Sequence, residues 1–185
     1  MSTLLRFKVV LVVVALLGVG GVTAAVASGD GERSRFSTDL VGYEEVPAIS
    51  TVGDGSFRAV ISRSADEIRY ELRYEHLTAA TTQAHIHFGQ ESVNGGISVF
   101  LCSNLGNGPA GTQACPLSGT VTGTIRPVNV IGPSGQGIAA GEFAELVQAL
   151  RAGVAYANVH STLYPNGEIR GQLGDDDHDH DEDDD

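Results

Sequence analysis

The chain has 185 residues, with 11 Lys+Arg against 23 Asp+Glu, and a formal net charge of −12. Nine of those acids lie in the last eleven residues, DDDHDHDEDDD, so residues 28–174 hold 14 acids and nine arginines, a net of −5. No lysine follows Lys8 and the arginines are interleaved with acids, which excludes a basic nucleic-acid footprint. The length allows one domain of roughly 140 residues with a real hydrophobic core. Trp is absent, Gly is abundant and only 18% of residues are charged, which suits a turn-rich β protein.

The first 27 residues read as an export device. Arg6 and Lys8 precede an apolar run from Val9 to Val19, and Ala25-Val26-Ala27 supplies a small-x-small cleavage site. The alternative is an uncleaved anchor, with membrane contact through this segment alone. Either way residues 28–185 lie outside the cytoplasm, in the extracellular space or cell envelope. Residues 28–35 form a linker.

The body from residue 36 reads as strands. Phe36, Thr38 and Leu40 alternate with polar neighbours, as do Phe57, Ala59 and Ile61. Ile68 to His76 is clearest: Ile68, Tyr70, Leu72 and Tyr74 alternate with Arg69, Glu71, Arg73 and Glu75. Short runs follow at 84–88, 97–101, 119–126, 155–161 and 168–173. They are broken by Gly53-Asp54-Gly55, Asn94-Gly95-Gly96 and Pro165-Asn166-Gly167. Cys102 and Cys115, an even pair in an exported chain, predict a disulfide closing a short loop. The other reading is a pair of thiol metal ligands, without CxxC spacing to favour it. Residues 127–140 read as loop. The stretch 141–153 departs from period two. It places Phe143, Leu146, Val147 and Leu150 at helical spacing, with early Glu142 and Glu145 and late Arg151.

His85 and His87 stand at i and i+2 in one strand, so both imidazoles leave the same face, about 6–7 Å apart along the chain. Two such imidazoles can chelate one transition metal, copper or zinc. Tyr156, Asn158 and His160 share a face of a later strand. Glu168, Arg170 and Gln172 share a face of the next. If the first and second of these strands meet, His160 completes a three-histidine site, with Asn158, Glu168 and Arg170 as its surround. The competing reading is a polar row, with Glu168 and Arg170 as a structural ion pair. The acidic tail, with His178 and His180, buries no apolar area and is expected to be disordered. It attracts divalent cations weakly or simply solubilises. GxSxG, HExxH and the phosphate-cradling GxxxxGK[ST] are absent, and no GxGxxG joins a strand to a helix, so no hydrolase site assembles.

Four blocks carry a family resemblance: Glu45-Val46-Pro47; Ala84-His85-Ile86-His87 with Gly89 and Asn94-Gly95-Gly96; residues 153–161, GVAYANVHS; and residues 165–173, PNGEIRGQL. The chain resembles the CHRD domain, named after chordin, from about Phe36 to Leu173. It departs from the family pattern at Ala48, Gly96 and Ser161, none of them a histidine. The resemblance implies an exported microbial-type module with a binding or structural role, an extracellular protein or cell-envelope partner, and no established catalysis. A smaller likeness joins His-Ile-His and Asn-Val-His160 to the copper-binding strands of Cu/Zn superoxide dismutases. It implies, as an alternative, a redox metalloenzyme. The bridging histidine and zinc cluster of that family have no counterpart between His87 and His160. The expected fold is all-β: an antiparallel, Greek-key-like β-sandwich with one short α-helix over residues 36–174. Intact-mass analysis of exported protein is expected to find Ser28 as the first residue; a retained Met1 establishes the anchor instead.

Overall fold

The computed structural model describes residues 34–174. The export segment, residues 28–33 of the linker, and the tail with His178 and His180 lie outside the described residues. Eight strands follow in chain order: β1 (Arg35–Val41), β2 (Asp54–Ile61), β3 (Ile68–Glu75), β4 (Thr81–Phe88), β5 (Gly96–Ser103), β6 (Gly119–Ile125), β7 (Ala155–Ser161) and β8 (Ile169–Gln172). One α-helix, α1 (Phe143–Arg151), stands between β6 and β7. The first strand thus begins at Arg35.

The fold is all-β and antiparallel, as the alternation predicts. The strands form one nearly closed sheet in the order β5-β4-β7-β8-β1-β2-β3-β6. β7 lies beside β4 and β6 beside β3, the returns of a Greek key. In β3 the buried residues are Ile68, Tyr70, Leu72 and Tyr74, while Arg69, Glu71 and Arg73 face solvent. Leu72 sits between Phe57 of β2 and Val121 of β6. The inward residues of the sheet form one apolar core together with Phe143, Leu146, Val147 and Leu150 of α1. Those four are the residues whose spacing marks the helix. The stretch 127–140, read from sequence as loop, contains two short 3-10 turns, Pro127–Asn129 and Ser134–Gln136.

β5 and β6 are the unpaired edges, and they face each other. The connection between them starts under the Cys102–Cys115 disulfide, so neither sulfur is a free metal ligand. It carries Gln113 into the seam. The Gln113 amide donates to Leu101 O of β5 at 3.2 Å, to Thr122 O of β6 at 3.0 Å and to the Tyr70 hydroxyl at 3.0 Å. One side chain therefore bridges the gap that ladder hydrogen bonds leave open.

Removing the Leu72 side chain takes apolar contact from three strands at once. Leu72→Ala is expected to cost about 2–5 kcal/mol in urea unfolding. Glu71→Ala, on the wet face of the same strand, is expected to stay within about 0.5 kcal/mol.

Candidate metal centre

The strand order puts β4, β7 and β8 side by side. Their inward face is apolar: Ala84 and Ile86, then Ala155, Ala157 and Val159, then Ile169. Their outward face is polar and also buried. Register aligns His85 with Asn158 and Asn158 with Arg170; it aligns His87 with Tyr156 and Tyr156 with Gln172. Phe100 of β5 lies opposite His85. Loops around residues 42–53, 89–95 and 162–168 supply hydrogen-bond partners to this polar layer. Glu45, His85, His87, Asn158, His160, Glu168 and Arg170 are all buried.

The three histidines expected from sequence to share a site do meet. His85, His87 and His160 are 0%, 8% and 5% exposed. Each offers a ring nitrogen within 4.8 Å of the other two. Two of the rings are oriented by backbone carbonyls. His87 Nδ1–H donates to Gly95 O at 3.0 Å, and His160 Nδ1–H donates to Pro165 O at 3.1 Å. A carbonyl accepts only, so the protons sit on Nδ1 and each Nε2 presents a lone pair. His87 Nε2 has no hydrogen-bond partner. His160 Nε2 faces His85 Nδ1 at 3.1 Å. If His85 carries its proton there, its own Nε2 is left as a buried lone pair without a donor, and that atom has no partner. His85 Nε2 and His87 Nε2 are thus left as buried lone pairs with no donor, while His160 Nε2 is served only by the His85 ring. Metal-binding imidazoles are arranged in this way, one nitrogen fixed by an outer partner and the other free.

The electrostatics agree with the geometry. Burial lowers all three imidazoles, His85 to about 2 and His87 and His160 to about 4. The neighbouring rings push His85 and His87 further down, and the Arg170 guanidinium adds to the effect at His87. All three are neutral, the form that binds a metal.

Aromatic rings wall the trio. Phe100 meets His85 edge-on with centroids 4.4 Å apart. Tyr156 stacks on His87 at 4.7 Å and 4°. Arg170 lies over the Tyr156 ring, Cζ 3.5 Å from its centroid. Asn158, Glu168 and Arg170 share this layer but make no hydrogen bond to an imidazole. Asn158 Nδ2 donates to Glu45 Oε1 at 2.6 Å. Glu168 Oε1 accepts from Thr51 Oγ1 at 2.7 Å and from Thr78 N–H at 2.6 Å. Arg170 donates to Val93 O and Gln90 O, both at 3.1 Å. The ion pair that i, i+2 spacing suggests for Glu168 and Arg170 does not form among the described residues. Glu168 stands one residue before β8 and turns toward Thr51 and Thr78, whereas Arg170 is drawn to the loop carbonyls.

Sequence reasoning missed Glu45 as part of this layer. Glu45 and Asn158 are 113 residues apart, and only the Glu-Val-Pro landmark drew notice to it. Burial raises its carboxyl to about 7, against the lowering pull of Asn158 and Arg170. Gly167 makes the contact possible: a Cβ there would lie 2.5 Å from Glu45 Oε1 and 2.7 Å from Asn158 Nδ2. His76, expected to be exposed at the end of its strand, is exposed, and it pairs with Asp54 Oδ1 at 2.8 Å. Asp54, Glu75 and His76 also lie within reach of one ion. They sit in solvent, however, and the hydrogen bond to Asp54, with the Glu75 charge, raises His76, as an ordinary surface ion pair would.

These shifts predict a pH dependence with two opposing signs. The depressed histidines stabilise the fold fully above pH about 6.5, the unfolded value, and lose that contribution as pH falls toward 4. Glu45, raised in the fold, contributes stability below pH about 4.5 and loses it as pH rises toward 7. Glu45→Gln mimics the protonated carboxyl at every pH. It is expected to raise the urea midpoint at pH 8 and to steepen the loss of stability between pH 7 and pH 5.

Comparison with known proteins gives one match. A family model for the CHRD domain matches residues 36–173, from the second residue of β1 to the residue after β8. No curated protein matches the chain, and no solved structure does. The matched span contains the helix, every residue of the polar layer and all of the eight strands but Arg35. The chain belongs to the CHRD-domain family.

Proposed function

We propose that this protein is an exported binding or structural module whose buried histidine cluster holds one transition-metal ion, copper or zinc. His85, His87 and His160 are the ligands. The single observation that carries this reading is the meeting of three buried imidazole nitrogens within 4.8 Å of one another, in a cluster where His85 Nε2 and His87 Nε2 have no hydrogen-bond partner. A purely structural polar cluster ordinarily pairs its buried atoms, because each unpaired one costs about 1–3 kcal/mol. A metal ion removes that cost in one step. Export rests on the N-terminal charge and hydropathy pattern, and on the disulfide, which belongs to an oxidising compartment. The partner is an extracellular or cell-envelope protein. The dismutase-like alternative shares the same three ligands and differs only in turnover.

Full-length protein is expected to bind one equivalent of copper or zinc more than its His85→Ala/His87→Ala variant, measured by elemental analysis after desalting. The tail is common to both chains, so it cancels. Equal metal content in the two chains, with circular dichroism showing both folded, refutes the site. Superoxide consumption by the metal-loaded protein above that of the free ion identifies an enzyme; no excess identifies a binder.

A further inference from the structure

We propose that the His85/His87/His160 site selects a monovalent ion, Cu(I), over divalent Zn(II). The inference rests on the metal-site reading above and adds the charge that the site tolerates.

The donor set is three imidazoles and nothing else. Among the described residues no carboxylate or thiolate joins the trio within the 4.8 Å that unites it. Both cysteines are locked in the disulfide. The two carboxylates of the layer have other occupations: Glu45 accepts from Asn158, and Glu168 from Thr51 and the Thr78 amide. The partners that orient His87 and His160 are neutral carbonyls. They are not carboxylates, which would send negative charge through the ring. The charge that backs one wall of the trio is positive. Arg170 stacks on Tyr156, and Tyr156 stacks on His87. β4, β7 and β8 are consecutive strands and each contributes one member, with Tyr156 directly opposite His87 and Arg170 reaching Tyr156 diagonally from beside Gln172, the register partner of Tyr156.

A metal entering this site therefore keeps its whole charge. The Born cost of a buried charge grows as its square, so a dication pays about four times what a monocation pays. Zinc takes three imidazoles only with a fourth donor such as water to complete its tetrahedron, and the protein supplies none here among the described residues. Imidazole nitrogen suits copper, and Cu(I), with a filled d shell, is content with three such donors in a plane. The flanking Phe100 and Tyr156 rings offer an incoming dication no charge-balancing partner.

The test uses full-length protein with its disulfide intact, without oxygen. Cu(I) affinity is read by competition with bicinchoninate and Zn(II) affinity by competition with a chromophoric zinc chelator. The His85→Ala/His87→Ala variant is measured in parallel, so that tail binding is subtracted. Cu(I) is expected to bind the trio roughly 1,000-fold more tightly than Zn(II), the ratio to which a several-unit difference in burial cost converts. X-ray absorption of the Cu(I) form is expected to show three nitrogen neighbours and no sulfur. Zn(II) binding at the trio as tightly as Cu(I), or more tightly, overturns the inference and leaves the metal site standing. Neither ion distinguishing wild type from the variant overturns both.

Discussion

Three adjacent strands, β4, β7 and β8, are buried on both faces, and one of those faces is polar. That constraint governs most of the molecule. An apolar face packs on itself, but a polar face out of water must find a partner for each donor and acceptor. The loops at 42–53, 89–95 and 162–168 serve this purpose. Their carbonyls and amides answer the side chains beneath them, and the side chains fix the loops in return.

The 89–95 loop shows how tightly the two are joined. Gly95 accepts from His87 through its carbonyl and donates to the Tyr156 hydroxyl through its amide, at 3.0 and 3.1 Å. Arg170 holds the same loop at Gln90 and Val93, and Gln172 holds Gly89. Tyr156 stacks on the ring that Gly95 orients. The orientation of one imidazole is thus over-determined by three side chains on two strands, Tyr156 of β7 and Arg170 and Gln172 of β8. A ring held in this manner has little freedom to turn.

Much of the fold was legible because water marks one face of a strand. Ile68 to Glu75 alternates in both hydropathy and exposure, and the helix is announced by Phe143, Leu146, Val147 and Leu150. β7 is instructive in the other sense. All seven of its residues are buried, yet Ala155, Ala157 and Val159 still alternate with Tyr156, Asn158 and His160. There the period reports two kinds of interior rather than inside and outside. The shared face of His85 and His87 followed from spacing alone. The approach of His160 did not, because it depends on β7 pairing with β4, which sets His160 beside His85 at a sequence separation of 75, and strand order leaves no local trace. Glu45 and the Gln113 bridge were illegible for the same reason. Each is a single polar residue in a loop, and its importance lies wholly in what the fold sets opposite it.

The seam between β5 and β6 has a consequence for how this protein keeps its own company. An open sheet ends in two rows of unpaired backbone groups, and each row is a template for a stranger's strand. Here the two rows are turned toward one another, and Gln113 spans them with donors to both. A second molecule meeting this sheet finds no free margin along which to extend it. The amide of one residue thereby occupies an acceptor on each margin that a foreign strand would need.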